Sequence, residues 1–65
     1  MIKWVRADAG LYRSAAGLYE IQRAAVRYAG RLPWIVYVRG KPFTSEDTLA
    51  DAKRAAERHN RESCG

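Results

Sequence analysis

The segment Pro33-Trp34-Ile35-Val36-Tyr37-Val38-Arg39 constrains this chain more than any other stretch. It is β-branched and aromatic, it follows a proline and it stops at Gly40, a pattern that predicts a strand. Trp34, Val36 and Val38 fall on one face and Ile35 and Tyr37 on the other, because successive side chains of a strand point to opposite sides. A strand that is apolar on both faces calls for cover on both. The chain has 65 residues, so a single domain must supply that cover. A domain of this size buries only about 60% of the surface its unfolded form exposes, so its stability is marginal. Trp34 is expected in the core.

Other elements follow from local signals. Ile2 to Ala7 reads as a second strand, with Trp4 as its core anchor. Leu18 to Arg23 reads as a third, with Tyr19, Ile21 and Arg23 on one face and Leu18, Glu20 and Gln22 on the other. The same region also fits a helix, since Leu18, Ile21, Ala25 and Tyr28 match helical spacing and Gly30 suits a C-terminal cap. Gly17 sits badly in a first helical turn, and Tyr19 and Ile21 suit strands, which favours the strand. Asp8-Ala9-Gly10, Ser14-Ala15-Ala16-Gly17 and Gly40-Lys41-Pro42 read as turns.

Thr48-Leu49-Ala50-Asp51 resembles a capping box and starts a helix, with Ser45 as the rival cap. Leu49, Ala52, Ala55, Ala56 and His59 share one side of it. Lys53, Arg54, Glu57, Arg58 and Arg61 face solvent, with Lys53–Glu57 and Glu57–Arg61 spaced as i,i+4 pairs. A helix face of alanines can lie close to a sheet carrying bulky side chains. The expected fold is α+β: a three-stranded antiparallel sheet packed by one C-terminal helix, spanning residues 1–60, with residues 61–65 as a flexible tail.

Several function classes are poorly supported. No apolar run approaches the length of a membrane span, and Met1 to Arg6 lacks a secretory layout. The lone Cys64 makes no internal disulfide, which suits a cytoplasmic protein, or host cytoplasm if the chain is phage-encoded. His59 is the single histidine, and no Cys/His cluster has zinc-ligand spacing; it is expected to pack its ring or meet helix-end carbonyls. The glycines are too dispersed for a phosphate loop, and Ser14, Ser45 and Ser63 have no triad partners. The sequence thus predicts a non-enzymatic protein with no cofactor, metal or small-molecule substrate.

Taken in order, Trp4, Tyr12-Arg13-Ser14, Gly17-Leu18-Tyr19-Glu20-Ile21, Trp34-Ile35-Val36-Tyr37, Gly40, Thr48-Leu49-Ala50-Asp51-Ala52-Lys53 and Ala56-Glu57-Arg58-His59 resemble a class of short proteins from actinobacteria and their phages. The resemblance covers nearly the whole chain and rests on structural residues, so it implies shape rather than activity. The expected strand-strand-strand-helix order is also similar to sheet-reading DNA-binding domains of plant transcription factors and phage integrases, an analogy of fold alone.

Charge is the main functional clue. Residues 1–43 hold eight cations against two acids, net +6, whereas residues 44–65 hold four cations against five acids, net −1. Nine of the twelve cations are arginine, which suits planar hydrogen bonding to phosphate. A GC-rich coding genome also yields arginine, and accounts for the count better than for its concentration in the sheet half. The first partner class is therefore DNA, contacted by Lys3, Arg13, Gln22, Arg23, Arg27, Arg31, Tyr37, Arg39 and Lys41. The second is a homodimer or host protein, bound by an apolar patch of Val5, Leu18, Ile35 and Tyr37 on the face the helix leaves open.

Overall fold

The computed structural model describes residues 2–27 and 29–64. Along the chain lie β1 (Trp4–Asp8), β2 (Leu11–Ser14), β3 (Tyr19–Arg23), β4 (Trp34–Val38), β5 (Lys41–Glu46) and α1 (Leu49–Cys64). The strands form one antiparallel sheet in the order β1-β2-β3-β4-β5, each paired with its neighbours in sequence. The fold is α+β with one C-terminal helix, but the sheet has five strands rather than three.

The two additional strands come from segments that read as turns and connections. Leu11-Tyr12-Arg13-Ser14 is a strand of only four residues between two tight turns. At its far end the Gly17 N–H donates to the Ser14 carbonyl at 2.9 Å, and the Tyr19 N–H donates to the buried Ser14 Oγ at 3.0 Å. Gly17 closes that turn at φ +80°, a conformation that costs a side-chain-bearing residue energy. The third turn lies one residue earlier than Gly40-Lys41-Pro42. Arg39 (φ +53°) and Gly40 (φ +80°) are its two left-handed residues, the combination a two-residue hairpin needs to match strand twist. Lys41 and Pro42 therefore already belong to β5. Proline offers no ladder hydrogen bond, and an edge strand tolerates that loss.

Residues 19–23 form a strand, not the helical alternative. In this form Ile21 sits between Tyr12 and Val36 across the sheet, and Tyr19 shares its face. Met1, Tyr28 and Gly65, and with them the Tyr28 position of that alternative and the Cys64 thiol, lie outside the described residues.

The core is small and asymmetric. Ile21 and Val36 are fully buried, and Ala52 and Ala56 of α1 meet them with no exposed surface of their own. Tyr19 completes the cluster; Ile2, Trp4, Trp34, Val38 and Leu49 pack around it, half-buried. Trp34 thus lies at the margin of the core rather than its centre. The α1 backbone lies over β3, β4 and β5 and stops short of β1 and β2, from which Trp4 and Tyr12 still pack against the core cluster. No helix among the described residues is long and apolar enough to cross a membrane.

The helix begins where the Asp51 N–H donates to Thr48 Oγ1 at 3.1 Å, while the Asp51 carboxylate accepts from Arg54 at 3.1 Å. Ser45 lies within β5. Past Asn60 the helix continues to Cys64. No glycine or proline precedes Gly65 to stop it, and Arg58 approaches Glu62 to 4.0 Å.

Thr48→Ala should lower stability by about 1 kcal/mol, and Ser45→Ala by roughly 0.5 kcal/mol or less. Urea denaturation of both variants checks this, and a reversed ranking would remove Thr48 from the cap.

Candidate nucleic-acid interface

The cross-strand register sorts the proposed contact residues by face, because residues directly opposite one another share a face. One row across the side away from the helix runs Val5, Arg13, Glu20, Tyr37 and Pro42. The next runs Leu11, Gln22, Ile35 and Ser45. Arg13, Gln22 and Tyr37 therefore do share the open face.

The centre of that face is neutralised from within. Arg13 Nε donates to Glu20 Oε1 at 2.9 Å, and Gln22 Nε2 donates to Glu20 Oε2 at 2.7 Å. The Arg13 hydrogen bond, joined by that from Gln22, holds the Glu20 carboxyl below the usual carboxylate range. Two of the groups expected to address DNA are thus occupied with a carboxylate, and that carboxylate repels phosphate.

The remaining expected cations divide between the two ends of the sheet. At one end stand Lys3, whose carbonyl accepts from the Ala15 N–H, Arg39, whose N–H donates to the Leu18 carbonyl, and Lys41. At the other end stand Arg23, Arg27 and Arg31. Arg31 donates to Asp47 at 2.6 Å, and Arg27 reaches the Gly30 carbonyl at 3.4 Å. No single surface brings together all nine expected residues.

A different cluster forms beside the helix, from Arg6 and Tyr12 on strands the α1 backbone does not reach and Arg23 and Trp34 on strands it does. Tyr12 and Trp34 lie with ring centroids 6.1 Å apart. The Arg23 guanidinium carbon sits 5.5 Å from the Trp34 centroid, and Lys53 Nζ of α1 sits 5.1 Å from that of Tyr12, both within cation–π range. Arg6, exposed on β1, is the direct cross-strand partner of Tyr12 and shares its face. Of these five residues only Arg23 is marked by the sequence as a contact. Lys53 was expected to pair with Glu57, and its place over Tyr12 depends on tertiary packing.

The alternative apolar patch is also rearranged. Val5, 52% exposed, is separated from Ile35 and Tyr37 by the Arg13–Glu20–Gln22 group. Leu18 packs against the core cluster. Ile35 instead joins Pro33, Pro42 and Phe43 around a shallow groove between β4 and β5.

His59 shares a 2.8 Å hydrogen bond between its Nδ1 and the Tyr19 hydroxyl, and its ring meets Phe43 edge-on at 4.8 Å. It packs within the fold, as ring packing predicts. Among the described residues no group of three or more His, Cys, Asp or Glu side chains is placed to hold a metal ion. Compared with protein-family models, characterised proteins and solved structures, the chain matches none of them.

Glu20 titrates below its unfolded value, so its contribution to stability is present above the ordinary carboxylate range and is lost as pH falls through the depressed folded pKa. Arg13→Gln should move the Glu20 midpoint upward in an NMR carboxyl titration. An unchanged midpoint would remove the Arg13 hydrogen bond as its leading cause.

Proposed function

We propose that the chain is a small non-enzymatic nucleic-acid-binding protein, with DNA as its first partner class. The distribution of cations carries this reading. On the outer side of the helix, Arg54 and Arg58 lie against Asp51 and Glu62, so that surface offers little net attraction to phosphate. In the sheet half, Arg6, Arg23 and Arg27 are exposed at or beside the β3–β4 end, and half-buried Tyr12 and Trp34 lie among them. Cations beside aromatic rings are the arrangement that nucleic acids engage, through phosphate and base together. Lys3, Arg39 and Lys41 extend the positive surface at the opposite end.

A protein-interaction reading has one observation in its favour: the groove of Pro33, Ile35, Pro42 and Phe43, with Tyr37 on the same open face as Ile35. It suits a homodimer or a host protein. The charge distribution does not bear on it, which places it second.

The test varies where the charge is changed and holds its size constant. DNA affinity should fall with salt along a log–log slope of roughly −0.9 per duplex phosphate contacted. Reversing Arg23, Arg27 and Arg31 to glutamate should abolish binding, whereas reversing Arg54, Arg58 and Arg61 should weaken it far less, with circular dichroism confirming that both variants fold. Equal losses would reduce the effect to bulk attraction to a basic protein. Absence of binding, together with a dimer lost in Tyr37→Glu, would transfer the function to the interaction reading.

A further inference from the structure

Nothing in a nucleic-acid-binding role by itself decides between duplex and single strand. The helix-side cluster does. Resting on that role, we infer that Tyr12, Trp34, Arg6, Arg23 and Lys53 form a binding site for single-stranded nucleic acid, contacting unpaired bases with the two rings and the backbone with the three cations.

Three observations support this. The first is exposure: Tyr12, on a strand the α1 backbone does not reach, and Trp34, at the margin of the core, both pack against the core cluster yet remain only half-buried, which leaves part of each ring at the surface. Unpaired bases stack on such rings whatever their sequence, because every base has a π-face. The second is charge. Arg6 comes from β1, Arg23 from β3 and Lys53 from α1, so three cations converge on one site from three elements. Two acids border the site, Glu46 directly across from Trp34 on the same face and Glu57 one helical turn from Lys53, and the three cations outnumber them; the Asp8 carboxylate accepts from the Ala9 N–H at 2.7 Å. The third is placement. Arg23 and Lys53 lie over the ring faces, so a base that stacks there displaces them from the ring onto the phosphate beside it.

The open face makes the contrast. A duplex groove is read by a sheet that offers side chains with unused hydrogen-bonding capacity. On this sheet that position holds Glu20 with Arg13 and Gln22 bound to it. The aromatic side is the narrow strip beside the helix, which suits a flexible strand better than a rigid double helix.

The experiment uses the Trp4→Phe chain, so that Trp34 alone reports. It is titrated with a 12-nucleotide single strand and with a duplex of the same sequence, following tryptophan fluorescence, with a 12-residue glutamate peptide as the competing polyanion. Stacking predicts quenching by the single strand and affinity about tenfold or more above the duplex and the peptide. Arg23→Gln and Lys53→Gln, both at surface positions, should each weaken single-strand binding and reduce the salt slope by roughly 0.7. Arg58→Gln, on the outer side of the helix, should leave both nearly unchanged. Duplex binding equal to single-strand binding, without quenching, would overturn this site and leave the broader role standing. Equal binding of the glutamate peptide would overturn the site in favour of an acidic protein partner. No binding of either nucleic acid would overturn both.

Discussion

Contact between two alanines and two branched residues sets the geometry of this molecule. Ala52 and Ala56 lie against Ile21 and Val36, and all four are fully buried. Small side chains on the helix let its backbone descend onto the sheet, and the large ones on the sheet fill the space. A bulkier residue at either alanine would lift the helix and cost about 1–3 kcal/mol through strain. This seat also fixes which strands are covered. A single helix spans three strands of a five-stranded sheet, so the other flank is closed only by its own side chains, Trp4 and Tyr12 among them. Tyr12, Arg6 and the reach of Lys53 are consequences of where the helix rests.

The two faces of the sheet solve different problems. Away from the helix, a carboxylate at the centre ties down its cross-strand arginine and its glutamine neighbour. Ion pairs this exposed contribute little to stability, typically about 0–1 kcal/mol, but they fix side-chain positions and cancel local charge. Beside the helix the cations have aromatic rings as neighbours, an arrangement that keeps their full charge available. Net charge alone would assign both faces the same role. Pairing separates them.

Legibility in the sequence followed the strength of local signals. The strand Trp34–Val38 and the alternation of Tyr19 and Ile21 with Glu20 and Gln22 are clear because burial imposes a period of two. The cap at Thr48 is clear because helix starts have their own chemistry. β2 is hidden because four residues flanked by turns, with an arginine among them, give too short a pattern. β5 is hidden because Lys41, Pro42, Ser45 and Glu46 have the composition of a connection, which is also the composition an edge strand permits. The site is less legible than the fold. That Arg13 is spent on Glu20 depends on register, and that Lys53 meets Tyr12 depends on where the helix lands. Both are facts of assembly, and no window of neighbouring residues contains them.

Both outer strands carry an extra residue: Ala7 breaks the register between Arg6 and Asp8 in β1, and Phe43 breaks it between Pro42 and Thr44 in β5. An unclosed meander has two rims, each a template on which another chain could extend the sheet. A bulge bends the rim and leaves the ladder out of step, and Pro42 withholds a donor on one side. Both features make either rim a poorer template for a further strand. The same feature limits how anything can recognise the molecule: main-chain zippering along a rim is poorly accommodated, and a partner must bind through side chains.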